Sequence, residues 1–258
     1  MSEDSIVIVS GLRTPMGGLQ GCLSDATAVE LGTTAIKATL EKAGIAADAV
    51  DEVFMGNVMS ANLGQAPARQ AAIFAGIGNN VPCTTVNKVC ASGMKALSLG
   101  AQSIIAGDNE IVVAGGMENM SSVPHYYNAR KATKLGDVKM IDGMVKDGLT
   151  DVYNHVHMGV CAEKCATEKG FSREEQDAFT IESYRRSAAA WAAGKFNDEV
   201  VPVEVPQRRG EPVVVSKDEE YTNVRMEKIP ALLAAFTKDG TVTAANASTI
   251  NDGGAALV

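Results

Sequence analysis

The stretch Asn87-Lys88-Val89-Cys90-Ala91-Ser92-Gly93-Met94-Lys95-Ala96-Leu97 decides how this chain is read. A β-type run, Thr84-Thr85-Val86, leads into it. Small residues lead out to about Ala106, where Gly107-Asp108 stops the pattern. The order predicts a strand, a tight turn at Cys90 and a helix over about 91–106. A cysteine at a helix N-terminus meets unpaired backbone N–H groups and partial positive charge. Both favour the thiolate, the nucleophilic form of cysteine, and the same N–H groups can hold an oxyanion once a carbonyl is attacked. The competing reading is that Cys90 packs as one more small hydrophobe.

Towards the N-terminus, Ile6-Val7-Ile8-Val9-Ser10 reads as a strand buried on both faces, followed by a loop over Gly11 to Gly18. Thr27-Ala28-Val29-Glu30 reads as a capping box. It opens a helix to about Ala43, with Gly32, Ile36, Leu40 and Ala43 on one face and Gly44 at its end. Asp51 to Val58 is a further strand with its exit, and Pro67 suits the first turn of a helix through about Ala75. Beyond the central helix, Glu110 to Gly116 is another strand. Alternating strands and helices define an α/β chain, a parallel or mixed sheet with helices on its faces. Ligands of such sheets bind beyond the carboxyl ends of strands, and Cys90 lies at such an end.

Near Ser122 the character changes. Pro124 to Lys146 is polar, with Arg130, Lys131, Lys134, Lys139 and Lys146, and reads as a solvated loop. His157, Cys161 and Cys165 fall at helical spacing. With no fourth ligand apparent, the row reads as a packed face rather than a zinc site. Ser172-Arg173-Glu174-Glu175 is a second capping box, opening a long helix through Ala193 with Gly194 at its end. Short β-like runs follow from Val200 to Val215, then a short helical piece over Ala231 to Phe236 and a strand over Thr241 to Ser248. Gly253 to Val258 reads as a buried strand cut off at its beginning, so the chain is expected to be a fragment or a deliberately bounded domain.

Composition sets outer bounds. Aromatic residues are only 5% against 46% hydrophobic, so the core must be built from Ala, Val, Ile, Leu and Met. The net charge of −8 argues against a general nucleic-acid or anionic-membrane surface, and no apolar run is read as membrane-spanning. Five scattered cysteines, Cys22, Cys83, Cys90, Cys161 and Cys165, point to a reducing compartment rather than a disulfide framework. The acidic start, Met1-Ser2-Glu3-Asp4, reads as neither a signal nor a transit peptide.

The segment Asn87 to Leu97 resembles the nucleophile motif of thiolases, enzymes that make or cleave 3-ketoacyl-CoA thioesters. Arg13-Thr14-Pro15, Gly116-Met117-Glu118-Asn119-Met120-Ser121 and the run Thr241 to Gly253 resemble further thiolase segments. The resemblance implies a thiolase-type mixed sheet with helices on its faces plus an inserted loop domain. The core would be 1–121, the inserted domain, with CoA binding and oligomer contacts, 122–248, and the return to the core 249–258. Cys90 would be the residue acylated. His157 and Met158 would line the pantetheine channel, and Leu149 would be a further substrate or CoA contact. Tyr184, Asn223, Val224, Arg225 and Lys228 would contact CoA, with Arg225 and Lys228 opposing phosphate charge. Asn223 stands where related enzymes often carry a basic residue. Ser248 would hydrogen-bond the pantetheine amide, and Asn246 would fix a loop.

The long-range pattern is closest to the acetoacetyl-CoA thiolases of the mitochondrial type, through Asn154 to Gly159, Ser183 to Ser187 with Ala190-Trp191, and Asp218 to Tyr221. The implied reaction condenses two acetyl-CoA to acetoacetyl-CoA and CoA, or runs the reverse thiolysis, through an acetyl-Cys90 intermediate. CoA thioesters are then substrates rather than cofactors. Some of these enzymes bind potassium, and the counterpart positions are Tyr184 and backbone groups of Ala244, Ala245 and Ala247. The resemblance further implies a homotetramer or homodimer in the cytoplasm, or in the mitochondrial matrix if a presequence was removed, with no nucleic-acid or membrane partner. It covers the N-terminal two-thirds of a thiolase. The family's Gly-His-Pro histidine and Cys-x-Gly cysteine do not occur here, and His125, His155 and His157 lie in other contexts. These residues alone are therefore expected not to turn over. A broad-range degradative 3-ketoacyl-CoA thiolase and a non-catalytic acyl-CoA-binding subunit stay open as alternatives.

Overall fold

The strands, in chain order, are β1 (Gly11–Arg13), β2 (Gly17–Gly18), β3 (Glu52–Gly56), β4 (Cys83–Val86), β5 (Val112–Asn119), β6 (His125–Tyr126), β7 (Ile141–Asp142), β8 (Thr150–Asp151), β9 (Val156–His157), β10 (Val203–Val205), β11 (Val213–Val215) and β12 (Asn251–Leu257). The α-helices are α1 (Ala28–Ala43), α2 (Pro67–Phe74), α3 (Ser92–Ala106), α4 (Met158–Lys169), α5 (Arg173–Ala192) and α6 (Glu220–Asn223). The computed structural model describes residues 6–131 and 133–258, so the acidic start Met1 to Asp4 lies outside the described residues. The chain divides into two compact units. The first takes the residues up to Ser122, Asn197–Asp218 and Asn251–Val258, and the second Val123–Phe196 and Glu219–Ile250.

The first unit is built on a mixed sheet in the order β1-β12-β5-β3-β4, with β2 also paired to β12. β3 runs parallel to β4 and β5, while β12 is antiparallel to β1, β2 and β5. Side chains alternate between the faces of a strand. Val53 and Met55 of β3 therefore join α1 and α2 in one core through Ala35, Ile36, Leu40, Ala68 and Ala72, while Phe54 packs with Val86, Ala96 and Val112 on the α3 side. The capping box at Thr27 and Glu30 is formed, and α1 ends at Gly44 in the left-handed region.

The mixed sheet and its flanking helices agree with the α/β expectation, but several local readings differ. Ile6 to Val9 are exposed and form no named strand. Gly11 faces Leu257 and Leu12 faces Ala256, and the N–H groups of Val9 and Ser10 both donate to the Val258 carbonyl (2.8 and 3.4 Å). Residues 197–218, expected within an inserted domain of 122–248, pack with the sheet unit instead. Val203 and Val205 bury against Leu23, Ala26 and Leu31. Arg13 reaches the same segment through Glu199 (2.8 Å) and a two-pronged contact to Asp218 (2.7 and 3.0 Å). Val89–Ala106 reaches a mean hydropathy of 1.2 over 18 residues, contrary to the sequence reading of no membrane-length run. Here the stripe Ser92, Ala96, Gly100 is buried, and α3 packs on β3 and β5.

In the second unit, α5 is capped by Ser172 and Glu175 as expected. The helical piece falls at Met226–Ala231 rather than 231–236. Thr241 to Ser248 is not a strand. Asn246 Oδ1 accepts from the Thr243 N–H (2.6 Å) and Ala247 N–H donates to the Thr243 carbonyl, curling the chain into a turn. Arg130, Lys131, Lys134, Lys139 and Lys146 of the 124–146 run are all exposed, as expected of a solvated face.

Candidate active site

Cys90 lies in the first unit between β4 and α3, at the carboxyl end of the parallel strands, and is exposed. Three glycines allow α3 to start there. A Cβ on Gly56 would fall 2.6 Å from the Gly93 nitrogen and 2.7 Å from the Ser92 carbonyl carbon, and one on Gly116 would fall 3.4 Å from the Gly93 Cα. The first turn of the helix therefore rests backbone to backbone on the ends of β3 and β5. Ala91, the cap residue, adds no side-chain hydrogen bond to the helix N-terminus.

The turn itself is strained. Val89 has φ +50, a left-handed conformation that a β-branched side chain rarely adopts and that costs about 1–3 kcal/mol. Two side chains hold it there. Ser92 Oγ accepts from the Lys88 N–H (2.8 Å) and donates to the Val89 carbonyl (2.6 Å), while Asn87 Oδ1 accepts from the Val89 N–H (3.0 Å). Ser92, valued in the sequence only for its small size, is thus a clamp, and Val89 carries no signal in the sequence beyond its place before Cys90. The arrangement presents a thiol at a helix N-terminus on a turn whose shape is over-determined.

The other residues singled out from the sequence all lie in the second unit. β8 pairs with β9, and Met158 N–H donates to the Leu149 carbonyl (2.8 Å), so Leu149, His157 and Met158 come together. His157 caps α4, its Nδ1 accepting from the Gly159 N–H (3.0 Å), and its ring stacks on Phe236 at 5.1 Å. Phe236 escaped the sequence reading because its contact is made across 79 residues of chain. His157 has extended backbone as the cap of α4 rather than a helical position in a row with Cys161 and Cys165, both exposed on α4. Tyr184 is half-buried on α5, where burial and nearby Glu220 push its hydroxyl pKa up. Asn223, Arg225 and Lys228 are exposed along the segment from α6 through Met226–Ala231, with Val224 half-buried among them. Ser248 is exposed just past the turn that holds Ala244, Ala245 and Ala247. That turn is tied to α5 by Asn246 Nδ2, which donates to Asp177 Oδ1 (3.0 Å).

Comparison with known proteins gives a concordant result. A family profile described as "Thiolase, N-terminal domain" matches residues 6–258. The mitochondrial acetyl-CoA acetyltransferase of Danio rerio is 57% identical over 258 residues, which take in 100% of this chain and 61% of that protein. The mitochondrial acetyl-CoA acetyltransferase of Homo sapiens is 55% identical over 254 residues, 98% of this chain and 59% of that protein. The chain thus spans about three-fifths of the length of these curated relatives. The Acat5 thiolase from Ascaris suum, solved in complex with coenzyme A, aligns with a TM-score of 0.92 at 46% identity, covering 97% of this chain and 64% of that one. A mixed sheet that delivers a cysteine to a helix N-terminus, and a profile that runs through every described strand of that sheet, lead to one conclusion: the chain belongs to the thiolase family and carries its N-terminal domain.

Proposed function

We propose that the protein is an acetyl-CoA acetyltransferase in which Cys90 is the nucleophile. The observation that carries this reading is the exposed Cys90 on a turn locked by Asn87 and Ser92 at the start of α3. In the first half-reaction the Cys90 sulfur attacks the thioester carbonyl of acetyl-CoA. The tetrahedral oxyanion collapses, CoA leaves as its thiolate, and the acetyl group stays on Cys90. In the second, an acetyl-CoA deprotonated at its α-carbon attacks that acetyl group, releasing acetoacetyl-CoA and the Cys90 thiolate. Splitting the acyl transfer in two lowers each barrier. The α-carbon base and the partner that activates Cys90 are, in thiolases, the Cys-x-Gly cysteine and the Gly-His-Pro histidine, neither of which occurs in these 258 residues.

On this reading CoA is the ligand of the second unit. The convergence of Leu149, His157 and Met158 supports a pantetheine contact, and the exposed Arg225 and Lys228 support a contact to phosphate. Ser248 and Asn223, both exposed, and Tyr184 and Val224, both half-buried, complete the proposed contacts. The Tyr184 hydroxyl with the carbonyls of Ala244, Ala245 and Ala247 is an all-oxygen donor set of the kind that suits a hard cation, here potassium, whose bound charge would order that turn. The family resemblance supports a homotetramer, and the names of the relatives favour the mitochondrial matrix over the cytoplasm.

The test is the mass of the natural protein carrying these residues after brief exposure to acetyl-CoA, followed by peptide mapping. An acetyl adduct on the Cys90 peptide, absent from Cys90→Ala, is expected. A folded protein that binds CoA yet gains no adduct would favour the non-catalytic acyl-CoA-binding reading. Turnover on acetoacetyl-CoA compared with a long-chain 3-ketoacyl-CoA separates the proposed enzyme from a broad-range thiolase.

A further inference from the structure

The clamp on the nucleophile turn does not end at Asn87. Glu118, near the end of β5, is a half-buried carboxylate with no cation paired to it among the described residues. Its partners are three N–H donors from one loop: Val58 N (2.8 Å), Met59 N (3.0 Å) and Asn57 Nδ2 (2.9 Å). Burial pushes the Glu118 carboxyl pKa up against the pull of its neutral donors, and the nearby charge of Asp252 adds to the rise. The loop it gathers leads straight to the nucleophile. Asn57 N–H donates to the carbonyl of Val86, the last residue of β4 (3.0 Å), and Asn87 Nδ2 makes a longer contact to the Val58 carbonyl (3.4 Å). Asn87 Oδ1 then accepts from Val89 N–H, one residue before Cys90. Asn57 is fixed on its other side by Nδ2 donating to the Met117 carbonyl (3.0 Å) and by Oδ1 accepting from Ser60 (2.5 Å).

We infer that Glu118 is a positioning residue for Cys90, holding the 57–59 loop so that Asn87 keeps Val89 in its left-handed conformation. The inference rests on Cys90 being the nucleophile. A buried uncompensated charge is costly, and a glutamine of the same shape would fill the same space. What glutamine cannot do is accept three N–H bonds, because its amide nitrogen would face a donor. What Glu118 supplies is therefore its acceptors, and those acceptors serve a loop whose far end is the strained turn.

The readout is the alkylation rate of each of Cys22, Cys83, Cys90, Cys161 and Cys165 by iodoacetamide in the folded, full-length natural protein that carries these residues, measured by peptide mass. Cys161 and Cys165 are exposed on α4 in the other unit and serve as internal controls, while partly buried Cys22 and Cys83 report unfolding. Wild-type Cys90 is expected to react faster than Cys161 and Cys165. If it does not, the nucleophile reading fails, whatever Glu118 does. Given a fast Cys90, Glu118→Gln and Asn87→Ala are each expected to slow it by about tenfold, the scale of a small displacement at a reacting group, without slowing the controls. Glu118→Asp, which keeps the acceptors, should recover part of the rate. The double variant should be no slower than the slower single one, since both cut one chain of contacts. Asn87 is exposed, so Asn87→Ala combined with Glu118→Asp keeps the test valid should Glu118→Gln unfold. An unchanged Cys90 rate in Glu118→Gln, an equal change at all exposed cysteines, or independent multiplication of the two effects would each overturn the inference.

Discussion

At the scale of single residues, the Cys90 turn depends on what is missing from Gly56 as much as on the residues within it. The atoms that a methyl on Gly56 would meet are the backbone of Ser92 and Gly93, which cannot rotate away. Gly56→Ala is therefore expected to lower stability by about 3 kcal/mol, the upper range for forcing an extra methyl into a packed site. It should also slow Cys90 alkylation, because the relief available is a shift of the α3 N-terminus. Urea unfolding with cysteine mapping measures both. A substitution tolerated within a few tenths of a kcal/mol would mean that the strand end and the helix start are not in contact.

Among the elements, α4 shows how a helix can shape chain that is distant in sequence. Glu163 is buried on α4 and accepts from the N–H groups of Thr241 (2.9 Å) and Val242 (2.9 Å) and from the Thr241 hydroxyl (3.2 Å). Those N–H groups, which a strand would pair with a neighbour, are satisfied by a side chain instead. This is why an alternating β-like pattern at 241–248 becomes a turn. Glu163→Ala leaves buried donors without an acceptor and should cost about 2–3 kcal/mol. The loss can be followed by denaturant unfolding monitored at Trp191, the single tryptophan, which lies on α5 in the same unit. Arg173 adds to the same frame, pairing with Asp177 (2.7 Å) and donating to the carbonyls of Ile229 and Leu232.

For the whole molecule, acidity tests the sheet. Asp51 Oδ2 accepts from the N–H groups of Ile111 and Glu110 (2.8 Å each), joining the approach to β3 to the approach to β5. These bonds hold the Asp51 carboxyl pKa below its ordinary value. A depressed folded-state pKa contributes stability that is present above the unfolded value, about 4, and is lost as pH falls through the folded value. Stability should therefore drop on acidification below about pH 4, and Asp51→Asn should show a shallower drop. Glu118 has the opposite sign, since burial raises its carboxyl and its charge weighs against the fold as pH rises. The comparison of wild type with Asp51→Asn cancels that contribution. Urea midpoints taken across the acid range give the two slopes, and parallel slopes would exclude a role for Asp51.

Periodicity and caps determined most of the elements without help from the fold. The boxes at Thr27 and Ser172 specify their helices through contacts three residues apart, and Gly44 stops α1 by its own conformational freedom. The run Thr84-Thr85-Val86 and the small residues after Cys90 likewise placed that cysteine at a strand-to-helix turn. Tertiary structure decided the rest, because the deciding partners are far along the chain. Residues 197–218 join the sheet unit because Arg13 and Leu23 reach them from far along the chain, Arg13 and Glu199 being 186 residues apart. The 241–248 turn waits on Glu163, and the shape of the Cys90 turn on Asn57 and Glu118. Local sequence carries what a few neighbouring residues can satisfy among themselves. Where a backbone donor or a charge finds its partner only after the chain has folded back, the tertiary structure makes the choice.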